Sequence, residues 1–117
     1  KTGNKTFEHR FPEDVFNTVS NATLQLINEV DHDIIVVIRD QEKKYLRHVY
    51  IRNLEEFTFD KLPITRLYVQ FKSKEFYYED RERTPINFGD NHIFNFFFDP
   101  SLEGNYYKIT EEEFFKP

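Results

Sequence analysis

Two of the chain's four histidines sit among carboxylates, and these are the residues whose types best suit chemistry. His32 stands between Asp31 and Asp33, and His92 follows Asp90 by two positions. Imidazole and carboxylate donors together suit zinc or another divalent ion. In an antiparallel meander, alternate loops emerge at one end of the sheet. That topology would bring the turn at 31–33, the loop at 53–56 and the segment 73–91 together. His32, His92, Asp31, Asp33 and Asp90 would then form one candidate metal site. Their spacing matches no known metal signature, and Asp-His-Asp equally suits an exposed polar turn.

The remaining parts of an active site are missing. His48 stands in an alternating stretch beside Leu46 and Tyr50, where a half-buried cross-strand role is the simplest expectation. Ser20, Ser73 and Ser101 lie in no nucleophile elbow. Cysteine is absent, and no glycine-rich phosphate loop occurs. Glu111, Glu112 and Glu113 read as one solvated face. No catalytic residue, no cofactor and no enzymatic activity are expected.

Binding finds better support. Phe76, Tyr77, Tyr78, Arg81, Arg83 and Phe88 crowd into 73–91, and Tyr, Phe and Arg are the residues that concentrate at protein interfaces. So long a loop inside a compact domain is usually functional, though a strand over 75–78 is the plainer expectation. Asn4-Lys5-Thr6 and Asn21-Ala22-Thr23 fit the glycosylation sequon, a pattern short enough to recur by chance.

The elements that must position these residues are strands. Of the 117 residues, 14 are phenylalanine and seven tyrosine, and alanine is scarce. Period-two alternation predicts strands over 22–28, 45–52, 57–59, 66–72, 92–98 and 106–109. The apolar run Ile34-Ile35-Val36-Val37-Ile38 predicts a central strand covered on both faces. In 92–98, Phe94, Phe96 and Phe98 share one face, and Ile93 and Phe97 the other. Two apolar faces mean either burial on both sides or an exposed patch that meets a partner, and an N-terminal segment lying over the second face is the expected cover. Thr110 followed three residues later by Glu113 has capping-box spacing, so a short helix is expected over 110–115. Residues 1–21 read as a tether or lead-in, with 22–117 as one domain. Together these give an all-β, antiparallel, seven-stranded sandwich, prealbumin-like or immunoglobulin-like, with one short C-terminal helix.

The net charge of -5 disfavours a nucleic-acid partner, which calls for a basic face. No apolar stretch approaches the ~20 residues of a membrane span. Methionine is absent even at position 1, so the chain is expected to start after a processing boundary.

Phe57-Thr58-Phe59-Asp60-Lys61-Leu62-Pro63, followed by the alternating Leu67-Tyr68-Val69-Gln70-Phe71, resembles the prealbumin-like and carboxypeptidase-regulatory-like sandwich domains. The resemblance covers about residues 22–72 and departs at Thr65, where those domains usually carry glycine. It implies a fold and brings no functional residue with it. The overall composition resembles small envelope lipoproteins of Bacteroidota-type bacteria, with Lys1-Thr2-Gly3-Asn4-Lys5-Thr6 as the tether behind a lipid anchor. The expectation is an exported, non-enzymatic accessory or scaffold subunit in the cell envelope, at the periplasm or outer-membrane surface, that binds another protein. The alternatives are a cytosolic acidic inhibitor or immunity-type protein, and a small metal- or carbohydrate-binding domain.

Overall fold

The structure is a computed structural model that describes residues 1–97 and 104–117. A 3₁₀ turn at Glu8–Arg10 precedes β1 (Thr23–Asn28), β2 (Ile34–Arg39), β3 (Tyr45–Ile51), β4 (Glu56–Phe59) and β5 (Thr65–Ser73). Then come β6 (Phe76–Asp80), β7 (Thr84–Ile86), β8 (Asn91–Phe96), β9 (Tyr106–Ile109) and a short helix α1 (Glu111–Phe114). One sheet has the order β4-β1-β8, and the other β3-β2-β5-β6-β9, with β7 also paired to β5. The two sheets face each other across one core, an all-β sandwich. Phe98 and Ser101 lie outside the described residues.

Nine strands appear among the described residues where seven are expected, and the two extra ones occupy 73–91. β5 turns directly into β6 through Lys74 and Glu75, with Ser73 opposite Phe76. Lys74 takes the left-handed conformation that such a tight turn needs, at φ 56. β6 pairs with the C-terminal half of β5, and after residues 81–83 β7 pairs with its N-terminal half. The segment is therefore sheet along most of its length. The topology is not a meander either, because β1 and β8 pair in parallel.

Alternation puts Leu24, Leu26, Val36, Val49, Phe59, Leu67, Val69, Phe71 and Phe96 between the sheets. Each large apolar side chain buried there contributes roughly 1.5–3 kcal/mol. A second apolar cluster covers the opposite face of the larger sheet: Ile35, Val37 and Tyr45 meet Phe114 and Phe115, with Phe7 and Phe11 packed against them. Every residue of β2 is consequently buried, as its unbroken apolar run predicts.

Two devices hold the second layer. The capping box at Thr110 and Glu113 forms as expected and starts α1. Arg39, 1 % exposed, then reaches the other end of the helix. Its Nη2 donates to the carbonyls of Phe114 at 2.9 Å and Lys116 at 2.7 Å, and its Nε donates to Gln70 at 3.0 Å. Gln70 in turn donates to Glu79. An arginine buried this far is tolerable because its donors meet acceptors on every side.

Candidate functional site

The first cluster with chemical potential lies where the N-terminal segment crosses β3. A bulge opposite Arg39 inserts one residue into β3, shifting its register after Ile38. Leu46 and Arg47 then both turn inward, so Tyr45 and His48 share the outer face although three positions apart. The amide of Phe7 donates to Nε2 of His48 at 3.3 Å. That acceptor role leaves the ring proton on Nδ1, which lies 2.7 Å from the Tyr45 hydroxyl. The hydroxyl donates to Oδ1 of Asp14 at 2.7 Å, and Lys5 pairs with Oδ2. Burial, reinforced by the Lys5 charge, pushes the pKa of His48 down to about 4. Burial and the Asp14 carboxylate raise that of Tyr45.

A cleft of about 280 Å³ opens beside this chain, lined by Lys5, Glu8, Phe11, Pro12, Glu13, Asp14 and His48. Every polar group in the relay has its partner, and together the bonds clamp the N-terminal segment onto β3. Sequence alternation alone hides the arrangement, because without the bulge Tyr45 and His48 would lie on opposite faces.

The expected metal residues separate into two groups. His32 Nδ1 lies 2.8 Å from Oδ1 of Asp31, and its Nε2 meets Ser73. Asp33 accepts from the Tyr50 hydroxyl and from the Asn53 amide, the latter at 2.9 Å. These donors lower the pKa of both carboxylates, with His32 the largest influence on Asp31 and Tyr50 on Asp33. The buried side chain of Asn28 ties the turn together through the carbonyls of His32, Ile51 and Arg52. So the turn at 31–33, the start of the loop at 53–56 and the 73–76 hairpin do meet at one end.

Asp90 and His92 stand at the other end. His92 pairs with Leu24 at the start of β1, whereas the 31–33 turn lies beyond Asn28 at its finish. Four strand residues, ~13 Å, separate those two positions. Asp90 is a turn former: its carboxylate accepts from the Asn87 amide at 2.9 Å, and Gly89 supplies the positive φ of 82 that the turn requires. Among the described residues, no three His, Asp or Glu side chains converge as metal ligands.

The expected contact residues also divide. Tyr78 is core, stacked on Phe71 with ring centroids 5.2 Å apart, and Tyr77 packs on Phe114 and Phe115. Arg83 lies over the Tyr68 ring. Phe76 is 45 % exposed beneath Lys108, and Phe88 is 68 % exposed. Arg81 lies 4.1 Å over Tyr107 at the mouth of a second cleft, of about 400 Å³. Phe94, Asn95, Phe97 and Tyr106 line that cleft opposite Arg81.

β8 forms one wall of the cleft and is the last strand of its sheet. Phe94 and Phe96 face inward as the alternation predicts, but Ile93 is 55 % exposed. The expected N-terminal cover is elsewhere, on the larger sheet. No strand among the described residues pairs with the outer edge of β8, and Asn91–Phe96 contains no Lys, Arg, Asp, Glu or Pro.

The remaining sheet edges are managed. The carbonyls of Leu46, His48 and Tyr50 on β3 accept from the Val15 amide, Lys5 Nζ and the Gly3 amide. β4 carries Glu56 and is flanked by Glu55, Asp60 and Lys61, and β9 is four residues long with Lys108 in it. Short strands, charges and covering segments are the usual protections of an edge. The scan of family models and the searches of curated proteins and of solved structures returned no match.

Proposed function

We propose that this domain is a non-catalytic assembly module whose working surface is the outer edge of β8 and the aromatic cleft beside it. The observation that carries the reading is the contrast among edges. β8 alone offers a run of strand backbone with no charge, proline or covering segment among the described residues. An edge of that kind accepts a strand from another polypeptide, main-chain hydrogen bonds giving affinity and flanking pockets giving selectivity. Arg81, Phe97 and Tyr106, which line the cleft, are the residue types that anchor such contacts.

The module is an accessory or scaffold subunit. Its placement in a cell envelope, through a lipid anchor or through its partner, rests on the compositional resemblance alone. The test uses the full chain and an Asn95→Pro variant, both tagged and recovered from separated membrane and soluble fractions. Proline at an outer-edge position removes one donor without disturbing the pairing to β1. The natural chain is expected to retain a stoichiometric protein that the variant loses while its melting temperature holds. Equal recovery by both would overturn the edge reading, and recovery from the cytosolic part of the soluble fraction alone would overturn the envelope placement.

A further inference from the structure

What strand β8 would accept follows from its own register. In a parallel ladder, the bonded groups of one strand come from alternate residues. The amides of Thr23 and Glu29 donate to the carbonyls of Asp90 and Phe96, each at 2.8 Å. With Thr23 opposite Asn91 and Asn28 opposite Phe96, the even-numbered residues from 90 to 96 turn their backbone groups toward β1. The N–H and C=O of Asn91, Ile93 and Asn95 therefore point at the open edge. The side chains of these same three residues stand exposed on the outer face of the sheet.

Read from either end, that triplet is the same: asparagine, isoleucine, asparagine. Resting on the reading of β8 as the working edge, we propose that the strand it accepts is β8 of a second copy of this chain. The two run antiparallel about a two-fold axis at Ile93. Ile93 then faces its own counterpart, and Asn91 of each copy faces Asn95 of the other. All three are hydrogen-bonded pairs, because every residue involved presents both backbone groups to the edge, giving about six main-chain hydrogen bonds.

A two-fold interface must be complementary to itself, and side chains opposed across it must tolerate their own kind. Asparagine amides both donate and accept, so they pair with each other, and the isoleucines meet as an apolar centre. On the inner face, His92 of each copy meets Phe94 of the other. No like charges are opposed, which matters for a chain of net charge -5. The result is a continuous six-stranded sheet in the order β4-β1-β8-β8-β1-β4.

These 117 residues include no cysteine, so a single introduced one reports the axis directly. Ile93→Cys is expected to give a disulfide-linked dimer on mild oxidation. Gln25→Cys, one strand back on the same face, is expected to give none, since its two copies would lie ~14 Å apart. Sedimentation of the full chain should show a monomer–dimer equilibrium. Ile93→Lys, which opposes two ammonium groups on the axis, should raise its dissociation constant at least about tenfold.

A monomer at all concentrations, with both cysteine variants equally slow to cross-link, would overturn the proposal. Hydrogen exchange at the amides of Asn91, Ile93 and Asn95 in that monomer then separates the two failures. Fast exchange would leave β8 open for a different protein and sink only self-pairing. Slow exchange would mean that the chain covers its own edge, and both readings would fall.

Discussion

β3 and β8 are both outer strands of their sheets, and the chain treats them in opposite ways. Along β3 the carbonyls of Leu46, His48 and Tyr50 are each taken by a group from the N-terminal segment. Along β8 the corresponding groups of Asn91, Ile93 and Asn95 meet no described strand. Hydrated edge groups cost a monomer little, whereas ordering a segment to cover them costs ~1–2 kcal/mol of backbone entropy per residue. Hydrogen bonds alone do not offset that ordering. The cover on β3 exists because the same segment also brings Phe7 and Phe11 onto a second apolar cluster. An edge is closed where closing it also buries rings.

The sharpest way to break the contrast is therefore to remove a ring. Phe11 stacks on Tyr45 at 4.6 Å and contacts His48 and Phe115. Phe11→Ala is expected to lose about 3 kcal/mol in urea unfolding, at the lower end for phenylalanine because the ring is only partly buried. The amide of Tyr50, which donates to the Asn4 carbonyl at 3.0 Å, should then exchange as an edge amide does. An unchanged exchange rate there would separate the edge cover from the ring packing.

Acid attacks the same cover by another route. His48 titrates near 4 in the folded chain and near its ordinary value of about 6.5 when unfolded. Between those values the unfolded chain binds a proton that the folded one refuses, so stability falls as pH drops through that window. Above about 6.5 the contribution of this group is fully present. A loss of about 1–3 kcal/mol by pH 4 is expected from His48 in the setting of Lys5, Glu8, Glu13, Asp14 and Tyr45, which surround it. His48→Gln should flatten the slope across the window. An equal slope in the variant would assign the acid sensitivity to the carboxylates.

A smaller effect comes from taking one atom out of the relay. Tyr45→Phe leaves Oδ1 of Asp14 and Nδ1 of His48 without their shared hydroxyl partner. The expected cost is about 1–2 kcal/mol, with the Phe11 stacking retained. Double-mutant comparison with His48→Gln should give a coupling well away from zero, since the two groups share one chain of bonds. Additive losses would show that the hydroxyl and the imidazole act separately.

Much of the fold was legible and most of its special positions were not, for reasons that can be named. Alternation places β1 to β5, β8 and β9 within a residue or two, and the continuous run in β2 correctly announces cover on both faces. The capping box at Thr110 is likewise read directly. The strand expected over 75–78 is β6, but its tight hairpin to β5 is hidden, because Lys74-Glu75 occupies a turn where glycine or asparagine is the expected signal. The metal grouping fails because it assumes a meander, and the parallel pairing of β1 with β8 sends Asp90 and His92 to the far end. Arg39 and Asn28 read as ordinary polar residues, since nothing local reveals that helix or loop carbonyls converge on them. The open edge was visible in part: an uncharged run from Asn91 to Phe96 is a sequence feature, but whether a strand lies beside it is a fact of topology.

The smallest expected effect belongs to β8 itself, and its smallness is the point. Ile93 packs against nothing in the core, and its neighbours on the outer face are Gln25 of β1 and the flanking asparagines. Ile93→Thr keeps a β-branched side chain in a strand and exchanges the exposed ethyl branch for a hydroxyl, so the monomer should change by less than about 0.5 kcal/mol. The measurement is made at high dilution, where association does not contribute, and repeated at high concentration. A difference appearing only when the protein is concentrated would locate the role of Ile93 between molecules. A large loss already at high dilution would mean that the edge is covered from within, and that β8 resembles β3 after all.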